Sequence, residues 1–505
     1  MGGILRSLIV ILFVGITSAF GASPKSVSAD RLAIEKYRGQ CLNIKKYFIK
    51  TKYSIDCYTN YQHFNSKALK SYSKTKAKSK GTIKIASYNL LHPGSTRSMF
   101  KDIKLMANMM NNWDIVVALE LLPVVGRNLK HNIKVLKAIS GSSSKKYKDL
   151  YRVPGYVHIL DELRKLDKSW ALLLSPRGDS AKSGQVEELV GFFYKARTVK
   201  PKINEHCDEY RPKGGGAAYG CFPNFRKSFM GRETTHVFSR RPFLASFESG
   251  NFDFSLLGSH VIFGSPSDKT EMKKILKSSF NVTDYKKLGT GVTKGTYARF
   301  AEAAVTLEFM ENLKYYYSEE DLIYTGDFNL TPENKFWKET LKRHPGAKLY
   351  QKQASTVTLK KTDNGKPTGG LSSSYDHFIL NPKELTECAT SSGKIRVSRF
   401  NTYKGATNTY INKHYVIRKS GTLLESKSGK QKRKYHLAQF KNYLKSIYTI
   451  KDDRIVWDDY QFEQRVKAYD SRLFASQLKS STFYKVQQEL LSDHMPVLLS
   501  CSTNQ

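Results

Sequence analysis

The sequence predicts an α/β layered fold, and three observations carry the prediction. Short apolar runs of strand character recur at residues 82–88, 114–119, 189–194, 252–263, 321–324, 377–380 and 496–500. Patterns of helical period lie between several of them, at 99–110, 128–139 and 296–313. A chain of 505 residues that is 40% hydrophobic has material for a sizeable core, which excludes wholesale disorder and suits one elaborated domain. Strands alternating with helices from 82 to 501 are the pattern of sheets covered by helices.

Ahead of that region, Met1 and Arg6 give a positive start, residues 8–16 are apolar, and Ala19, Gly21 and Ala22 are small. Residues 1–22 are therefore expected to be a signal peptide, with the mature chain beginning near Ala22 or Ser23. The apolar run falls short of the ~20 residues that span a bilayer, and no later run approaches that length, so no transmembrane anchor is expected after cleavage. Residues 23–80 lack apolar periodicity and end in Lys74, Lys76, Lys78 and Lys80, which reads as an N-terminal extension and a basic linker. The main domain then occupies 81–505. Two stretches interrupt its rhythm: Gly214, Gly215 and Gly216 mark a loop over 211–220, and residues 385–485 lose the alternation. The second reads as a basic insertion, with Lys427, Lys430, Lys432, Arg433 and Lys434 close to Tyr435 and Phe440.

Six cysteines in a chain with an export signal favour disulfides, so a secreted or periplasmic destination is expected. The pairing expected is Cys41 with Cys57, Cys207 with Cys221 and Cys388 with Cys501, one connectivity among several. No CxxC pair or clustered Cys/His spacing suggests zinc. Charge is the unusual feature. Against 44 Asp and Glu stand 83 Lys and Arg, a formal +39 that exceeds what solubility requires. A polyanionic partner is the economical reading, set against the plainer one of a merely basic surface.

The chemistry is carried by polar residues that border the predicted strands. Asn89 closes the first, Glu120 the second, and His260 follows Leu256 and Leu257. Asp327 and Asn329 follow Ile323 and Tyr324, Asp376 and His377 open another strand, and Asp493 and His494 stand just before Pro496. Singly, each is what strand termini and turns use anyway. Together they suit phosphodiester hydrolysis. Carboxylate and amide oxygens hold a hard divalent cation such as Mg²⁺, and two histidines with carboxylate partners handle the protons.

The ordered motifs IASYN, ALE, EELVGFFY, FSRRP, GSH, GDFN, YDH and SDHMP resemble the endonuclease/exonuclease/phosphatase superfamily, and within it the deoxyribonuclease I-like branch. The resemblance runs over about residues 82–500 without the insertion. FSRRP at 238–242 and SPSD at 265–268 are similar to segments of secreted deoxyribonucleases. The fold implied is a layered α/β sandwich with two central mixed β-sheets flanked by helices. The cofactor implied is Mg²⁺ or Mn²⁺, with a structural Ca²⁺ left open. By position, Glu120 is implied as the principal metal ligand, with Asn89, Asp327 and Asp493 completing the metal and phosphate environment. His260 and His494 are implied as the catalytic histidines, oriented by Glu188 and Asp376 respectively. Asn329 and Arg240 are implied at the scissile phosphate, where a guanidinium offers paired donors. Glu187 competes with Glu188, which matches the family better in its spacing to the Phe-Phe-Tyr strand. The sequence departs from animal deoxyribonucleases after Glu120. Those enzymes place a DNA-contacting basic residue two positions after the metal-binding glutamate, whereas here Leu121, Leu122 and Pro123 follow Glu120.

Members of this superfamily cleave DNA, RNA, phosphoinositides and sphingomyelin, so motifs alone do not choose the substrate. The +39 charge and the export signal favour DNA cut with little sequence preference, RNA being a second nucleic-acid substrate. A phosphodiesterase or phosphatase acting on phospholipids is the alternative, and a catalytically inactive DNA-binding protein a third reading. No stable protein partner is implied.

Overall fold

The computed structural model describes residues 81–93, 101–121, 155–175, 188–208, 219–223, 237–289, 291–358, 370–400 and 491–504, with short pieces elsewhere. The expected signal peptide, Cys41, the helix expected over 128–139, the three glycines at 214–216 and most of 401–490 lie outside the described residues. No helix among the described residues is long and apolar enough to cross a membrane.

Two seven-stranded sheets form the centre. The strands, in chain order, are β1 (Gln62–Phe64), β2 (Thr82–Asn89), β3 (Ile115–Leu121), β4 (Trp170–Leu174) and β5 (Leu189–Lys195). They continue with β6 (Lys200–Lys202), β7 (Gly220–Cys221), β8 (Phe243–Ser249), β9 (Phe252–His260) and β10 (Leu322–Asp327). The last are β11 (Lys348–Tyr350), β12 (Asp376–Leu380), β13 (Val397–Arg399) and β14 (Val497–Ser502). The first sheet runs β13-β14-β2-β3-β5-β4-β1 and the second β11-β12-β10-β9-β8-β6, with β7 also on β8. Each sheet is mixed and has a single parallel pair near its middle, β2 with β3 in one and β9 with β10 in the other.

Side-chain alternation sorts the apolar residues into three layers, as period two requires. Ile83, Ile85, Ile115, Val117, Phe254, Leu256, Ile323, Phe378 and Leu380 meet between the sheets. Ala86, Tyr88, Val116 and Ala118 point the other way, onto helices α1 (Ile103–Met110) and α2 (Gly155–Leu166). Leu257, Tyr324 and Ile379 pack outward in the second sheet, against α3 (Lys269–Phe280), α4 (Tyr297–Tyr317) and α5 (Lys335–Lys342). The result is helices, sheet, sheet and helices, the layered sandwich that the motifs imply.

Local chemistry sets the helix starts. Asp102 accepts the Leu105 N–H at 3.0 Å to cap α1, and Asp268 accepts that of Glu271 at 2.7 Å to cap α3, each worth about 1 kcal/mol. The aspartate of SPSD is thus a helix cap. Two disulfides form as expected, Cys207–Cys221 and Cys388–Cys501. The second ties the start of the expected insertion to β14. Leu385 and Cys388 are buried in the layer between the sheets, and β13 pairs with β14, so residues 385–399 are continuous with the core.

Candidate active site

The same alternation that fills the space between the sheets delivers the polar residues to one end of it. Asn89 follows Ile83 and Ile85 on their face of β2. His260 follows Phe254 and Leu256, Asp327 follows Ile323, and Asp376 precedes Phe378 and Leu380. The ends in the second sheet are aligned by register, with His260 opposite Asp327 and Asp327 opposite Asp376. Apolar residues hold the sheets together for most of their length. At the carboxyl ends of the central parallel strands the same face turns acidic and basic.

Glu120 reaches this face by an irregularity. Ile115, Val117 and Leu119 face the other sheet, so strict alternation would send residue 120 outward to the helices. Instead the β3–β5 register shifts between Ala118 and Leu121, and Glu120 takes φ +56°, a conformation rare for a residue with a side chain. Leu121 then resumes the outward side. Gly326 has φ +154°, and a Cβ there would sit 1.8 Å from the Ser259 carbonyl oxygen, so only glycine passes the chain into Asp327. Gly258 does similar work between the sheets, where a Cβ would meet Val117 at 2.8 Å.

Two histidine–carboxylate pairs face each other across the site. His260 Nδ1 lies 2.6 Å from Glu188 Oε2, and His494 Nδ1 lies 2.7 Å from Asp376 Oδ2. Their other ring nitrogens converge on one atom, Asp327 Oδ2, at 3.6 Å and 3.4 Å. Burial works against an imidazolium in both rings, and Arg240 adds to that at His260. The adjoining carboxylates outweigh it, raising His260 through Glu188 and Glu120, and raising His494 well above the usual histidine range through Asp376 and Asp327. Burial likewise pushes the Glu188 carboxyl up, but His260, His92 and Arg240 together hold it far below the carboxylate range.

The oxygens between the pairs suit a cation. Glu120 Oε1 stands 3.6 Å from His260 Nε2, and the ligand atoms of Glu120, His260 and Asp327 lie within 4.8 Å of one another. Asn89 donates its amide N–H groups to Glu120 at 2.8 Å and to Asp327 at 3.1 Å, while its oxygen accepts from Leu91. Its amide therefore orders the two carboxylates. Asp493 is only half-buried, and its carboxylate lies outside the metal-binding groups found among the described residues; its side chain makes a weak contact with Ser492 Oγ at 3.4 Å.

The residues implied at the phosphate are also here. Arg240 straddles Glu188, with Nε at 2.7 Å and Nη2 at 3.2 Å, and its buried Nη1 meets no hydrogen-bond acceptor among the described residues. Asn329, at φ +51°, is anchored on both sides of the site: its amide donates to the Val261 carbonyl at 2.8 Å, and its own backbone N–H donates to Asp327 at 2.9 Å.

Several neighbours were not anticipated from the sequence. His92 sits on a left-handed turn and places Nε2 3.1 Å from Glu120 and 3.2 Å from Glu188. Ser355 donates to Asp376 at 2.6 Å. Lys101 is buried and donates to the carbonyls of Leu90 and Leu491, joining the exit of β2 to the loop of Asp493 and His494. Glu302 on α4 is buried and accepts the N–H groups of Ser239 at 2.8 Å and Ile262 at 3.1 Å. It thus joins the segment of Arg240 to the one after His260. Burial pushes its carboxyl up to about 7 despite those two amides, Arg240 and His260. A signal existed for one of these: a lone glutamate in the apolar run Phe300 to Val305 has to be buried or to break the helix face.

No protein-family model matches the chain, and no curated protein matches it in sequence. Several solved structures do. An endonuclease/exonuclease/phosphatase family protein from Bacteroides thetaiotaomicron is 12% identical, with 83% of this chain and 97% of that one covered at a TM-score of 0.36. One from Bacteroides vulgatus is 14% identical, with 60% and 88% covered at 0.30. D. rerio TDP2, complexed with a single-strand DNA product, is 13% identical, with 63% and 88% covered at 0.30. The two Bacteroides structures carry the name of the endonuclease/exonuclease/phosphatase family.

Proposed function

We propose that this chain is an exported, metal-dependent phosphodiesterase of the endonuclease/exonuclease/phosphatase superfamily that cleaves DNA with little sequence preference. The observation that carries the reaction type is the convergence of the His260 and His494 Nε2 atoms on Asp327, each ring backed at Nδ1 by a buried carboxylate. A phosphodiester lying between two such rings has a proton acceptor on one side and a proton donor on the other. One Nε2 takes a proton from the attacking water, and the other gives its proton to the departing oxygen as the P–O bond breaks. Glu188 and Asp376 fix the tautomers and stabilise the imidazolium in each case.

Glu120 and Asp327, ordered by Asn89, fit a hard divalent cation by donor type and by spacing. When bound there, Mg²⁺ or Mn²⁺ neutralises charge that develops on the phosphate in the transition state. Arg240 would support the same charge, because its buried Nη1 has no hydrogen-bond partner among the described residues while Nε and Nη2 lie against Glu188.

The substrate is argued from charge. A protein of +39 gains affinity for a polyanion by counterion release without reading bases, and Lys427, Lys430 and Lys434 are exposed. The deciding experiment incubates the oxidised protein with supercoiled plasmid and Mg²⁺, beside phosphoinositide and sphingomyelin vesicles. Nicking and linearisation that chelator abolishes is the expected result. Intact plasmid with hydrolysed lipid would reassign the substrate, and inertness on all three would sink the reaction.

A further inference from the structure

Phe263 is an apolar ring left in solvent three residues after His260, 63% exposed. A single exposed phenylalanine is ordinary on a surface. This one is unusual in how firmly it is held. Its backbone carbonyl accepts from Arg299 Nε at 2.5 Å, and the Arg299 guanidinium lies over its ring, 4.6 Å from the centroid. Just beyond, Ser265 Oγ accepts the Ala298 N–H at 3.0 Å, and the Pro266 carbonyl accepts from Tyr297 at 2.9 Å. The loop is pinned to the start of α4, and the preceding Ile262 N–H is held by Glu302.

The same arginine ties the loop of the ring to segments that border the site. Arg299 Nη1 donates to the Asn329 carbonyl at 2.6 Å and also engages the side chain of Tyr375, the residue before Asp376. Val261 receives the Asn329 amide. Phe263 is two residues further on, within about 7 Å of chain. Beside it nothing among the described residues lies within 4 Å of where a Gly264 Cβ would be, so the described structure leaves space next to the ring. One ring face is thus covered by a cation and the loop is fixed, with open space alongside.

We infer that Phe263, backed by Arg299, is a stacking seat for an unpaired nucleobase next to the scissile phosphate. This rests on the nuclease reading and extends it to a preference. A base inside a duplex already has neighbours on both faces, whereas an unpaired base gains by stacking on a fixed ring, with no demand on its identity. The guanidinium behind the ring adds positive charge where the backbone passes. Single strands, ends and frayed sites are therefore bound through this seat.

The test compares the full-length protein with Phe263→Ala and Phe263→Trp on three substrates: a single-stranded oligonucleotide, the same length of duplex, and a single strand of abasic tetrahydrofuran units. Phe263→Ala should lower kcat/KM on the base-bearing single strand about tenfold, chiefly through KM, while Phe263→Trp retains it. The loss should shrink on duplex, and on the abasic strand wild type and Phe263→Ala should converge. An equal loss on the abasic strand, or none on the base-bearing strand, would overturn the seat while leaving the nuclease reading intact. A wild-type protein inert on every nucleic acid but active on lipid vesicles would remove both, and is distinguished by that inertness.

Discussion

The two histidine pairs are built alike but protected differently. Each bridges the sheets. His260 ends a strand of the second sheet and meets Glu188 at the start of β5 in the first, while His494 precedes β14 of the first and meets Asp376 of the second. Glu188 is held by three basic side chains, His260, Arg240 and His92. Asp376 is fully buried and has His494 with the Ser355 hydroxyl on one oxygen, while its other oxygen has no hydrogen-bond partner among the described residues. The comparison teaches that two histidines given the same proposed role need not be supported alike. Loss of His260 leaves a carboxylate that still has partners, whereas loss of His494 leaves a buried charge with one hydroxyl.

The largest effect is on turnover, where the pairs should look the same. His260→Ala and His494→Ala are each expected to lower kcat on DNA by about 10³-fold or more, since each removes one of two proton-transfer groups. Plasmid-cleavage rates in Mg²⁺ read this directly. A loss confined to one variant would break the symmetry of roles.

Stability should then separate them. His494→Ala is expected to cost about 3–5 kcal/mol in denaturant unfolding, because it strands Asp376. His260→Ala should cost about 1–2 kcal/mol, since Glu188 keeps Arg240 and His92. Equal midpoints for the two variants would refute the asymmetry. His494→Gln, which restores a donor to Asp376, should recover stability without recovering turnover.

A pH dependence enters on the His260 side through Glu302. Its carboxyl is raised from the ordinary glutamate value of 4.5 to about 7 by burial, against the pull of the Ser239 and Ile262 amides, Arg240 and His260. A carboxyl raised on folding contributes stability that is full below 4.5 and is lost as pH climbs through 7. Glutamine does not titrate. The stability of wild type relative to Glu302→Gln should therefore fall by up to about 3 kcal/mol between pH 4.5 and 7 and stay flat above. A difference that does not change over that window would show that the carboxylate is comfortably ionised in its amide clamp.

How much of this was legible in the chain depends on the kind of interaction. Strand-end residues such as Asn89, His260 and Asp327 stand out because an apolar run of period two ends on a polar residue of the same face. Their pairing could not be read that way: Glu188 and His260 are 72 positions apart, and Asp376 and His494 118 apart, so only the family resemblance joined them. The bulge that redirects Glu120 has no sequence mark, since a left-handed glutamate looks like any other. Helix α3 is not among the helical periods read from the sequence, although Asp268 and Asn281 cap it at both ends. Lys101 and Ser355 were missed for a plainer reason: each bonds groups remote in sequence, and burial of a lysine is the exception.

The smallest effect lies outside both pairs, in the exposed lysines. Lys427, Lys430 and Lys434 are solvent-facing, so any contribution to DNA binding is through phosphate neutralisation and counterion release rather than through a fixed site. Replacing all three by glutamine should weaken binding several-fold at low salt and reduce the slope of log Kd against log salt by about 0.9 for each phosphate no longer neutralised, with kcat unchanged. Filter binding to duplex DNA over a salt series, in chelator to prevent cleavage, measures it. An unchanged slope would assign those lysines to a solvated surface. It would also leave the polyanion affinity to the basic residues that surround the two histidine pairs, Arg240 and Arg299 among them.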